Sequence, residues 1–182
     1  MNTPALIVVD IQNEYFPDGK LPLVGIKDAA DNAALVIASA RQNNHTIIHV
    51  RHEATTLDAP IFTPDSDGTK INDKVAPADS ETVITKHFPN AFLETPLKEM
   101  LDDAGITDVT VIGAMSHMCI DATVRAAVDY GYTVRVVHDA CTTLDLSFND
   151  TKVPAAHAHA TIMAAFEFLD VGLFDTQTWL TH

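Results

Sequence analysis

Cys119 lies where a strand-like apolar run gives way to a helical pattern, in GAMSHMCIDATVRAA. A free thiol near its unperturbed pKa of about 8.5 is mostly protonated at neutral pH. A helix N-terminus and a nearby ammonium both stabilise its thiolate, and a carboxylate can accept its proton. Asp10 and Lys86 could supply the carboxylate and the ammonium, each at the end of its own apolar run. The turn from Gly113 to Cys119 would add backbone N–H groups without intrahelical partners, which suit an oxyanion. Taken singly, each residue has a plainer reading. A strand-end Asp is more often a loop cap, a lone Lys a surface residue, and a Cys a small core residue. Cys141, in DACTT, has no base in view and is read as core.

The surrounding elements could bring these three together. ALIVV (Ala5 to Val9), TIIHV (Thr46 to Val50), TVI (Thr82 to Ile84), VTVI (Val109 to Ile112) and TVRVV (Thr133 to Val137) read as strands. Each is nearly continuous in apolar residues, as a strand covered on both faces should be. A sixth is expected near Val171. Helical patterns run over Asp28 to Gln42, Thr95 to Asp103, Cys119 to Tyr130 and Pro154 to Leu169. Thr95 as N-cap and Pro96 at the first helical position start the second; Gly105 and Gly131 stop the second and third. Strand and helix in alternation indicate a parallel α/β sheet with helices on both faces. Ligands collect at the carboxyl ends of such strands, where Asp10, Lys86 and Cys119 fall. The stretches Glu14 to Ile26 and Glu53 to Glu81 read as long loops of the functional kind.

The chain of 182 residues suits a single domain spanning 1–182, and its 47% apolar content rules out disorder. With 11 Lys+Arg against 25 Asp+Glu, net −14, a nucleic-acid partner and an anionic membrane surface are excluded. No run approaches the roughly 20 apolar residues of a membrane span, and MNTPALIVVDIQNEYF lacks the basic start of a signal peptide. A cytoplasmic setting with two free thiols follows.

Three segments in order, LIVVDIQNEYF, VITKHFPNAF and VIGAMSHMCIDATVRAAVDYGYTVRVVHDACTT, resemble the isochorismatase-like cysteine hydrolases. The resemblance runs from Ala5 to about Phe168. It implies a three-layer α/β/α, Rossmann-like fold around a six-stranded parallel sheet. It also implies a catalytic triad of Asp10, Lys86 and Cys119, and a non-proline cis peptide at Ala114–Met115 that aims the Met115 and Cys119 amides at the reacting oxygen. Nicotinamidases of that family hold a metal through an Asp-x-His after the second strand. Here the region reads HVRHEATT, with Arg51 in place of the Asp and no acidic partner for His49 or His52 at ligand spacing, so no metal and no cofactor are expected. True isochorismatases cleave a vinyl ether and commonly lack the cysteine.

Keeping Cys119 points to attack on an amide-type C–N bond of a small molecule through a thioester. The alternatives are vinyl-ether hydrolysis with Asp10 as general acid, and a non-catalytic thiol sensor or binding protein. Gln12, Tyr15 and Phe16 after the base, Phe88 and Phe92 after the lysine, and His117 before the nucleophile are the candidate substrate-binding residues. His87 is expected to turn away from the pocket, and His157 and His159 to serve packing or an interface. The long loops and the resemblance suggest a homo-oligomer, a dimer or tetramer, with a partner closing the pocket.

Overall fold

The computed structural model describes residues 4–181. Six parallel strands form one sheet in the order β3-β2-β1-β4-β5-β8: β1 (Ala5–Val9), β2 (Thr46–His52), β3 (Thr82–Lys86), β4 (Asp108–Ala114), β5 (Thr133–Thr142) and β8 (Gly172–Phe174). β6 (Leu146–Phe148) and β7 (Thr151–Val153) pair antiparallel in a separate hairpin. The helices are α1 (Ile26–Gln42), α2 (Leu97–Asp103), α3 (Asp121–Asp129), α4 (Ala155–Glu167) and the short α5 (Thr176–Trp179).

Period-two alternation sorts β1 between two cores. Ala5, Ile7 and Val9 face one layer with Leu97 and Leu101 of α2, Val124 of α3 and Phe166 of α4. Leu6 and Val8 face the other, with Ala30, Ala33, Val36, Ile37 and Ala40 of α1 and Trp179 of α5. Each fully buried Val, Leu or Ile contributes about 1.5–3 kcal/mol. The parallel sheet with helices on both faces is what the alternation of strands and helices indicated, and its six-stranded, three-layer α/β/α form is what the resemblance implied. No helix among the described residues is long and apolar enough to cross a membrane.

Local signals fared well where they were strong. Gly105 and Gly131 close α2 and α3 at φ 64° and 86°. The start of α2 lies one residue later than expected: Pro96 is the N-cap, and Thr95, just before it, accepts the Leu97 N–H at 3.3 Å. Two readings need correction. β5 does not stop at Val137; its register against β4 shifts between Val111 and Gly113, and pairing resumes at Cys141 and Thr142, so DACTT is strand up to Thr142. The helix carrying Cys119 does not begin there either. A π-turn over Ser116–Ile120 precedes α3, with the Ile120 N–H reaching the Met115 carbonyl at 3.2 Å. Such single π-turns concentrate at functional sites.

Candidate active site

The strand order turns back between β1 and β4: β2 and β3 lie on one side of β1, and β4 and β5 on the other. In doubly wound sheets the crevice forms at that reversal, beyond the carboxyl ends of the strands. Asp10 follows β1 there with φ 52°, a left-handed conformation that Asp tolerates better than most residues. Gly113 lets β4 press against β1. At φ 127° a Cβ on Gly113 would sit 1.9 Å from the Val9 carbonyl oxygen, so no other residue fits. The Ala114–Met115 peptide bond that follows is cis.

Lys86 comes from β3, two strands away from β1. Its side chain crosses the end of β2, where His52 is its register partner. The ammonium there meets three acceptors: Asp10 Oδ2 at 2.7 Å, Cys119 Sγ at 3.3 Å and His52 Nδ1 at 3.2 Å. An ammonium has three donors and no acceptor, so its valence is filled. Asp10 and Lys86 are wholly buried and Cys119 nearly so. The structure thus brings together the three residues that the sequence set far apart.

Burial sets the protonation of this cluster. It raises the Asp10 carboxyl above its usual range, with the Lys86 charge opposing it. Burial alone would depress Lys86, but Asp10 and the sulfur outweigh it and the ammonium is held more firmly than usual. The Cys119 thiol is pushed well up, first by burial and then by the Asp10 charge, against Lys86. The resting sulfur is therefore a thiol that accepts from the Lys86 ammonium at 3.3 Å, not the thiolate that a helix N-terminus alone would favour.

A cavity of about 380 Å³ opens onto Cys119, lined also by Tyr15, His52, Phe62, His87, Met115 and Met118, with Leu21, Ala54, Ala59, Pro60, Ile61 and Pro89 completing the wall. Of the candidate binding residues, Tyr15 lines it, edge-on to Phe62 at 5.1 Å. The others do not. Gln12 spends its amide on backbone, donating to the His52 and Thr69 carbonyls at 2.8 Å each and accepting the His52 N–H at 2.7 Å. It fastens the end of β1 to β2 and to the long loop. Phe16 packs in the α1-side core, and Phe92 in the opposite core against Tyr130 and Tyr132. Phe88 stands part-exposed outside the cavity wall. The His117 ring bonds to the Thr143 hydroxyl at 2.6 Å, away from the cavity.

His87, expected to turn away, lines the cavity, with Nδ1 2.7 Å from the Glu53 carbonyl oxygen. His52 is the residue that sequence reasoning missed. Only the β2–β3 register reveals it. His49 does have an acidic partner, Glu81 at 2.9 Å, which also forks onto Arg41. Arg51 pairs with Thr85 and Glu53. His159 bonds through Nδ1 to the buried Ser116 hydroxyl at 2.8 Å and so steadies the turn that carries Cys119. Cys141 is buried, its thiol pushed up to about 12, as a core cysteine should be.

Residues 4–167 match the family model of the isochorismatase domain. The chain belongs to the isochorismatase family. Its members are hydrolases, amidases among them. The chain is 44% identical over 178 residues to the isochorismatase family protein YddQ of Bacillus subtilis, covering 98% of this chain and 99% of that one. It is 34% identical to streptothricin hydrolase of Streptomyces noursei, over 84% of this chain and 55% of the relative. A solved isochorismatase-type structure from Oleispira antarctica superposes with a TM-score of 0.96 at 47% identity, covering all of this chain and 97% of the other.

Proposed function

We propose that this hydrolase cleaves an amide-type C–N bond of a small molecule through a thioester on Cys119. The observation that carries the reading is the Lys86 ammonium, which holds the Asp10 carboxylate at 2.7 Å and the Cys119 sulfur at 3.3 Å where the sulfur borders a cavity. Sulfur attacks the carbonyl carbon while its proton passes to Asp10. The tetrahedral oxyanion is held by the Met115 and Cys119 amides. Asp10 then protonates the leaving amine, and water activated by the same carboxylate clears the thioester. Lys86 stays charged throughout, keeping Asp10 anionic enough to act as base. Every step uses this chain's own groups. The likeness to a maleamate amidohydrolase and an N-carbamoylsarcosine amidase, each 27% identical, supports C–N cleavage over vinyl-ether cleavage.

A panel of small amides, ureido acids and vinyl ethers, tested on wild type, Cys119→Ala and Asp10→Asn, examines the reading. Both variants should fold and lose about 10⁴-fold or more in turnover, with an acyl adduct on Cys119 visible by mass spectrometry in wild type. Turnover that survives in Cys119→Ala refutes the thioester route. Vinyl-ether turnover that survives there but fails in Asp10→Asn establishes Asp10 as a general acid instead.

A homo-oligomer and a cytoplasmic setting belong to the same proposal. They are supported by the long loops around the site and by two buried free thiols, and light scattering tests the first.

A further inference from the structure

The lining of the cavity contains no Asp, Glu, Lys or Arg. The charged groups around it are committed elsewhere. Asp10 and Lys86 neutralise each other at 2.7 Å, Glu53 pairs with Arg51 at 3.2 Å, and the buried Glu14 carboxylate accepts the Phe62 N–H at 3.1 Å behind the wall. A ligand carboxylate or ammonium entering here would shed its water and find no counter-ion. The net charge of −14 biases further against anions.

The polar groups that do line the cavity have fixed roles. Lys86 can only donate, so His52 Nδ1, 3.2 Å away, must present its lone pair. Burial depresses His52 to about 4, and its one proton sits on Nε2. The Glu53 carbonyl can only accept, so His87 Nδ1, 2.7 Å from it, carries a proton, and in the tautomer with that proton alone the lone pair is at Nε2. The two imidazoles therefore present one donor and one acceptor. That is the complement of an amide or urea, whose C=O accepts and whose N–H donates. A carboxylate offers only acceptors and an ammonium only donors. Apart from Tyr15, whose hydroxyl can donate or accept, and the Cys119 thiol, the rest of the lining, from Phe62 and Ile61 to Met115 and Met118, is apolar.

We infer that the cavity selects an uncharged small molecule with an apolar body and a single amide- or urea-type group, read by His52 and His87 and not by an ion pair. The inference names a substrate class for the hydrolase reading and rests on it, but it is tested by binding alone.

Benzamide, benzoate and benzylammonium share one apolar body and differ in charge. Their affinities for the Cys119→Ser variant at pH 8 can be measured by calorimetry. Benzamide should bind at least ~10-fold tighter than either ion, because only the ions are desolvated without a partner. His87→Leu, checked by circular dichroism for folding, should weaken benzamide by about 5-fold and leave the ions unchanged. Either ion binding as tightly as benzamide, or no binding of benzamide at millimolar concentration, overturns the inference. Separately, wild type that shows the expected binding order but never turns over a neutral amide would sink the hydrolysis reading and leave the selectivity standing.

Discussion

Removing the Lys86 ammonium should expose what the buried cluster costs. In Lys86→Met the apolar stem survives and the charge goes, leaving Asp10 wholly buried with no cation at 2.7 Å. Breaking a buried pair from one side typically costs about 3–5 kcal/mol. A separate argument caps the loss. The stranded carboxylate can escape by taking a proton, and holding that proton at pH 7 against an unfolded-state value of 3.8 costs about 4 kcal/mol at 1.36 kcal/mol per unit. The two figures agree, so Asp10 in this variant should be protonated when folded. The sign of the pH dependence follows. A folded pKa raised above the unfolded one gives stability that is complete below the unfolded value and is lost as pH rises toward the folded value.

The deficit relative to wild type should thus be about 4 kcal/mol at pH 7 and shrink to about 2 kcal/mol or less at pH 5. With a urea dependence of about 2 kcal/mol/M, this is a midpoint shift of about 2 M at neutral pH, easily read by circular dichroism. The double variant Asp10→Asn/Lys86→Met removes both charges. It should recover most of the loss and show no such pH dependence, since a neutral pair leaves no buried ion behind. A Lys86→Met deficit that is flat from pH 5 to 7, or a double variant no more stable than the single one, would refute the reasoning.

Other expectations concern the site's frame and its protonation. Because burial pushes the Cys119 thiol up, thiolate absorbance should show no Cys119-dependent titration below pH 9.0; a step near neutrality that vanishes in Cys119→Ser contradicts the resting thiol. Gly113→Ala places a methyl 1.9 Å from the Val9 carbonyl at φ 127°, and overlap plus strain should cost at least about 3 kcal/mol in thermal unfolding. Glu81 is held down to about 2, chiefly by the Arg41 fork and also by the Ala78 N–H and His49, against a usual 4.5. A depressed carboxylate stabilises the fold above its unfolded value and loses that contribution as pH falls through the folded one. Discounted for the exposed Arg41, Glu81→Gln should cost about 1–2 kcal/mol at pH 7, and the gap should close in urea titrations as pH drops from 4.5 toward 2. A gap that persists at low pH argues against the ion pair.

What could be read from the sequence was what is local. ALIVV followed by Asp10, or a periodic run stopped by Gly105, carries its conformation in a few adjacent residues. The positions of Asp10, Lys86 and Cys119 were legible for the same reason, since each ends or follows a strand. What escaped depends on how strands pair. His52 reaches Lys86 only because β2 and β3 align His52 with Lys86, and a one-residue slip would turn it to the other face. Gln12 looked like a free polar group beside Asp10, yet the approach of Thr69 and His52 consumes it. His87 faces the cavity because the Glu53 carbonyl arrives from a loop that no periodicity describes. The π-turn escaped because its extra residue leaves the apolar pattern of the following helix unchanged.

The same burial that makes the cluster costly also constrains its chemistry. A thiol poised as a thiolate would react with any electrophile that reached it. Here both Asp10 and Cys119 are shifted up together, and the proton has no energetic reason to leave sulfur for the carboxylate at rest. In the proposed reaction, transfer becomes favourable only as a bond to carbon draws charge off the sulfur, so Cys119 and Asp10 would act in one motion that only a seated substrate completes. Lys86, with one N–H on each partner and the third tied to His52, keeps that geometry without becoming the proton donor. His52 therefore links the two halves of the site, since its Nδ1 lone pair fixes Lys86 and, through the tautomer this imposes, its Nε2–H is left for a ligand.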